Sequence, residues 1–186
     1  NLNALATSFM SLLPSEVLVT ALKNYEPTFL QYYRQLMASK LGLEAYSDGD
    51  ESLINQLLTL MEENQVDYSL FFRQLCYFSN SHRNVRDMFV DRSAFDDWAT
   101  LYVQRLSQQQ SSDQDRSASM LETNPKYILR NYMAQAAIEK AEQGDYSEVN
   151  LLLEVLQSPF AEHPEAEHYA GLPPDWAETI SVSCSS

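Results

Sequence analysis

The sequence predicts an all-α fold, an irregular multi-helix bundle, and three observations carry that prediction. Apolar residues recur at three- and four-residue spacing along almost the whole chain. No segment shows convincing strand alternation. Only 4 glycines occur in 186 residues, too few for a fold of many tight turns or for a phosphate-cradling loop.

The elements follow in order. Leu2, Leu5, Ala6, Phe9, Met10 and Leu13 share a helical face that Pro14 ends. Ser15 is placed to cap a short helix carrying Val17, Leu18, Ala21 and Leu22. Pro27 suits the first turn of a separate helix with Leu30, Tyr33, Leu36 and Met37 inward, closed by Gly42. After the loop 47–50, Leu53, Ile54, Leu57, Leu58 and Met61 define another helix. Asp67 caps an aromatic-rich stretch over 68–78, expected to be buried on most sides. Residues 79–84, with His82, read as a loop. A long helix starts near Asp91 and aligns Phe95, Trp98, Tyr102 and Leu106; its Trp98/Tyr102/Arg105 row is expected to be a packed face.

Residues 108–113 are polar and aperiodic, the best candidate for a mobile insert. The proline ring holds Asn124 off the helical region, and a helix is expected over 126–143 with Gly144 as its left-handed cap. Asp145 caps the partner helix, whose inner face is Leu152, Leu153, Val155 and Leu156, and Pro159 ends it. The expected organisation is a helical bundle over 1–110, a polar connection over 111–123, an αα-hairpin over 124–158 packed on the bundle, and an extended, proline-containing acidic tail over 159–186. Tyr169 and Trp176 anchor that tail.

The composition is 45% hydrophobic and 11% aromatic, which supports a folded body rather than disorder. The formal net charge of -14 argues against nucleic acid as a partner. After Lys140 no lysine or arginine occurs while nine acidic residues follow. That quarter is either a solvated acidic face or a surface for a basic partner. No run approaches the roughly 20 apolar residues of a membrane span, so no membrane association is expected. Two cysteines do not make a disulfide framework, and a reducing, cytoplasmic compartment is the expectation. The chain opens at Asn1 directly into a helical pattern, which reads as part of something longer.

Candidate chemistry is sparse. His163 and His168 stand among Glu162, Glu165 and Glu167, but Pro164 prevents one helix from presenting both rings, and a solvated tail is expected. The sequence has no glycine-rich loop, Walker lysine, His-Arg-Asp or Asp-Phe-Gly, so no catalytic, cofactor-binding or metal-binding residue is assigned. Cys76 lies at core spacing with Phe72 and reads as an inert structural thiol. Cys184, third from the end and flanked by small hydroxyl residues, is expected to bury almost nothing and is either an unimportant tail residue or a reactive or disulfide-forming thiol. Arg130, followed by Asn131, either bridges to loops of a preceding domain or closes a salt bridge within this region, to Glu122 or Asp175.

Several motifs together resemble the carboxyl-terminal end of the SelO (YdiU) family. They are Asn124-Pro125 with Arg130-Asn131, Gly144-Asp145-Tyr146, Leu152-Leu153 through Pro159, Pro174 with Trp176, and Cys184-Ser185-Ser186. The helix with Trp98, Tyr102, Arg105 and Leu106 is similar more weakly. The resemblance implies a kinase-like parent protein that binds ATP with magnesium or manganese and transfers AMP to serine, threonine or tyrosine hydroxyls of protein substrates. The family's nucleotide and metal motifs lie upstream of anything matched, so the missing amino-terminal kinase-like core is the implied partner. Cys184 falls where the family is thought to form a disulfide with a cysteine of the activation-loop region. Cysteine in place of selenocysteine there points to a bacterial-type member. By this reading the chain is a non-catalytic support for the core with a redox-sensitive tail; the alternative is a free-standing acidic helical interaction module.

Overall fold

The computed structural model describes residues 2–180, which form α-helices and short 3-10 turns with no strand among the described residues. The helices are α1 (Leu2–Ser8), α2 (Ser15–Lys40), α3 (Asp50–Glu63), α4 (Tyr68–Leu75), α5 (Phe78–Arg86), α6 (Arg92–Leu106), α7 (Asp113–Thr123), α8 (Asn131–Glu142) and α9 (Ser147–Gln157). Two 3-10 turns follow, Pro164–Tyr169 and Asp175–Thr179.

Where the sequence signals are local, helix boundaries follow them. Asp67 accepts the Leu70 amide at 3.0 Å and Asp91 the Ala94 amide at 3.0 Å, each satisfying an otherwise orphaned donor. Gly42 and Gly144 take φ +67° and +83° and end α2 and α8 with paired bonds back into the last turn. In each, the amide beyond the glycine reaches the carbonyl five residues earlier, at 2.8 Å for Leu43 to Ala38 and 3.0 Å for Asp145 to Lys140. Gln65 repeats the arrangement at φ 53° without being glycine.

Six expectations are corrected. Pro27 does not divide two helices; it lies inside the single 26-residue helix α2, and Pro14, not a Ser15 side chain, precedes the first turn. A proline removes one ladder bond, and the turns on both sides keep theirs. Residues 79–84 are helical within α5, with the His82 ring 4.8 Å from that of Phe78. The segment 111–123 contains α7, capped by Ser112 and burying Arg116 and Met120. Its inner face was illegible because a cation stands where an apolar residue is expected. The helix predicted over 126–143 starts at Asn131, because the amides of Lys126 and Tyr127 both donate to the Pro159 carbonyl, at 2.9 and 3.1 Å. The tail is folded by its two 3-10 turns, with Ala166 and Tyr169 buried.

Two apolar cores result. The larger gathers Met37, Leu41, Leu57, Phe71, Phe95 and Tyr102 with their neighbours from the end of α2 through α7. Phe71 meets Phe72, Phe89 and Trp98 edge-on, and Trp98 stacks on Tyr102 at 5.0 Å. The polar ends of these rings are satisfied: Trp98 donates to the Leu53 carbonyl at 3.0 Å and Tyr102 to that of Leu41 at 2.7 Å. The smaller core joins Tyr127, from the segment before α8, to Tyr132, Met133, Leu152, Val155 and Tyr169 from α8, α9 and the first 3-10 turn.

Candidate functional site

Between the two cores runs a seam of charged and polar side chains. Asp67, the cap of α4, is gripped by both nitrogens of the Arg130 fork, Nη1 to Oδ2 at 2.7 Å and Nη2 to Oδ1 at 3.1 Å. Burial pushes the Asp67 carboxyl up, but the Arg130 bonds and the Leu70 amide outweigh it, and its pKa lies below the ordinary range. Arg130 occupies the extended position before α8, so this pair ties the larger core to the smaller. Its partner is therefore neither Glu122 nor Asp175. Asn131 opens α8 with its side chain exposed.

Arg73 reaches further. From the last turn of α4 it donates through Nη1 to the carbonyls of Leu121 and Asn124, at 3.2 and 3.1 Å. Its Nη2 meets the Phe160 carbonyl at 3.3 Å and Glu162 at 2.9 Å. Beside it, Asn124 is fully buried; its amide donates to the Lys40 carbonyl at 2.9 Å and its oxygen accepts from Lys40 Nζ at 3.2 Å. The Lys40 ammonium also lies 5.3 Å and 5.1 Å from the ring centres of Tyr68 and Phe72. Desolvation lowers its pKa, and desolvation raises that of the neighbouring Cys76 thiol. Cys76 is buried, unpaired with another cysteine and held protonated, the opposite of a reactive thiolate. Lys126 completes the seam by bonding both Glu162 and Glu167.

Away from the seam, Asp50 is 1% exposed and holds the start of α3 to α6. Arg105 donates to it at 2.6 and 3.1 Å, and the Ser47 amide at 2.8 Å. Arg105 thus belongs to the packed face expected for its helix. Arg116, buried in α7, joins Ser79 and Asp113 at 2.6 and 2.8 Å. Sequence reading missed Arg73, Lys40 and Asp50, and named Asn124 only as a boundary and motif residue. One signal was available: Arg73 interrupts the apolar run over 68–78, and a charge inside a buried stretch requires acceptors.

Chemically, the seam commits its cations to carboxylates and carbonyls of the same chain, which fixes geometry and offers little to a phosphate. The groove between α3 and α6, about 820 Å³, is lined by Asp48, Glu51, Glu63 and Asp97 and by no lysine or arginine. Such a lining repels a triphosphate. Among the described residues no group of three or more histidine, cysteine, aspartate or glutamate side chains is arranged to hold a metal ion. His163 packs its ring against Tyr127 and bonds the Ser158 carbonyl at 3.1 Å. Cys184 lies outside the described residues.

Comparison with known proteins places this arrangement in a family context. Residues 1–157 match the family model described as "Protein adenylyltransferase SelO". A protein of Vibrio atlanticus called "Protein nucleotidyltransferase YdiU" is 46% identical over 187 residues, covering 100% of this chain and 39% of that protein. Proteins of the same name from Herminiimonas arsenicoxydans and Cupriavidus metallidurans are 47% and 50% identical, over 89% and 88% of this chain. They are covered to 34% and 30% of their own lengths. The chain thus spans two-fifths or less of each of these relatives.

Proposed function

The chain belongs to the SelO family, and on that premise we propose that it is the helical, non-catalytic carboxyl-terminal region of a protein adenylyltransferase. The parent protein moves AMP from ATP to serine, threonine or tyrosine hydroxyls of other proteins in the cytoplasm of a bacterium. Its ATP and its magnesium or manganese bind to a kinase-like core outside this chain. The groove between α3 and α6 is lined by carboxylates and by no lysine or arginine, which does not suit a triphosphate. No step of the transfer is therefore assigned to this chain. The observation that carries the reading is the alignment of the whole chain with two-fifths of a nucleotidyltransferase.

The chain's own contribution is mechanical. The seam sets the smaller core against the larger, and Arg130 and Asn131 sit where α8 emerges from it. Asn131 is free to meet the kinase-like core directly, while Arg130 acts by holding α8 in place through Asp67. Cys184 supplies a terminal thiol for a disulfide with a cysteine of that core. No helix among the described residues is long and apolar enough to cross a membrane.

Calorimetric titration of ATP with magnesium should give no binding heat with the 186-residue chain and clear heat with the full-length protein. Micromolar affinity in the chain alone would overturn the division of labour. In the full-length protein, Cys184→Ser should abolish the redox dependence of AMP transfer; an unchanged redox response would remove the proposed role of the tail.

A further inference from the structure

Residues 2–36 present apolar surface that the rest of the described chain leaves uncovered. From Leu2 to Leu36 no residue is buried, and burial begins at Met37. Yet residues 2–33 carry only Glu16, Lys23 and Glu26 as charges, in a chain of net charge -14. Val17, Leu18 and Val19 are consecutive, so they point about 100° apart around α2. Tyr25, Phe29 and Tyr33 stack along one file, with ring centres 6.0 and 6.1 Å apart. Leu30 and Leu36 extend the apolar surface and remain exposed. Glu16, Thr20, Lys23, Asn24, Gln31 and Arg34 share the opposite side, and a helix with so broad an apolar stripe buries it against a core. This one lacks its core.

The size of the surface supports that. Phe9, Tyr25, Phe29, Tyr32 and Tyr33 are each 36% to 66% exposed. At the roughly 150–250 Å² that an aromatic side chain presents, their open area alone is about 400–600 Å². The aliphatic residues between them carry the total past the largest apolar patch of an ordinary monomer, about 300–600 Å².

We propose that α1 and residues 15–36 of α2 form a docking arm that the rest of the same polypeptide, the part of a SelO-family protein outside this chain, encloses. The occupant is argued from length and composition. The relatives extend well beyond the matched region, this chain covering 39% of the Vibrio atlanticus protein, so roughly three-fifths of the family's length is available to cover the arm. The family match includes residues 1–36, which makes the arm part of the family's body. A second copy is the weaker candidate, because each would bring its own net charge of -14 against the other. The proposal rests on the reading above that this chain is one region of a larger protein.

Hydroxyl-radical footprinting of the full-length protein tests it, with references inside the same molecule. Tyr25, Phe29 and Tyr33 should oxidise as slowly as buried Phe71 and at least several-fold more slowly than Tyr146, which is 60% exposed. Their protection should not change over a hundredfold range of protein concentration. Reactivity matching Tyr146 would overturn the proposal, and protection lost on dilution would assign the arm to a second copy instead. These outcomes are independent of the ATP titration. ATP binding by this chain would end the division of labour yet leave an enclosed arm enclosed.

Discussion

Gly42 shows how one residue is held by both its backbone and its neighbours. Its φ of +67° is left-handed, and a Cβ there would meet Arg116 Cγ and Met120 Sδ at 2.6 Å. Gly144 has a similar φ of +83° but nothing within 4 Å of its absent Cβ. Gly42→Ala should therefore cost about 2–4 kcal/mol, combining backbone strain with overpacking of buried Arg116 and Met120. Gly144→Ala should cost about 1–2 kcal/mol from strain alone. Urea denaturation of the two variants measures the difference, and equal losses would contradict the contact at Gly42. Both turns were legible in the sequence because a helix-ending glycine is a local signal. The partner of Arg130 was not legible: Asp67 lies 63 residues away and already had a sufficient local role as a helix cap.

At the scale of elements, Arg73 joins α4 to the end of α7 and to the segment around Phe160 through four acceptors. Arg73→Met keeps much of the volume but leaves the Leu121 and Asn124 carbonyls without their shared donor. The expected loss is about 3 kcal/mol, the scale of an unsatisfied buried site facing a removed charge. Arg34→Ala serves as the contrast, since its pair with Glu51 is 3.2 Å long and exposed on both sides. That change should cost at most about 1 kcal/mol. Chemical denaturation decides it; a small loss for Arg73→Met would mean the junction is held by apolar contact alone. Legibility at this scale was divided: α3, α4 and α6 followed from their apolar periodicity. The continuity of α2 through Pro27 and the existence of α7 did not, because a tolerated proline and an inward arginine each mimic a boundary.

Across the whole molecule, the two cores depend on carboxylates that ionise more readily in the folded chain. For Asp67 and Asp50, burial raises the pKa, but the bonds from Arg130 and Arg105 and from backbone amides lower it further, and both end below the ordinary value of 3.8. A carboxyl with a depressed folded pKa contributes its full stability above the unfolded value and loses it as pH falls through the folded one. Stability should therefore be level near neutrality and decline below about pH 4. Asp67→Asn keeps a cap but removes the ionisation, so its acid decline should be shallower than that of the parent protein. Thermal unfolding across that pH range measures the two slopes, and parallel curves would show that the Asp67–Arg130 pair contributes no linkage.

The sequence by itself determined the all-α class, the inner faces of α3, α4 and α6, the glycine caps, the inert setting of Cys76 and the family resemblance. These depend on residues within a few positions of one another, where periodicity and turn chemistry act directly. Tertiary structure alone decided which charges meet across the seam, how the tail folds, and that the opening arm is left bare. Those outcomes are settled by desolvation: a buried cation takes whichever acceptors the packed chain brings within reach, and an apolar helix is stable only against a surface that covers it.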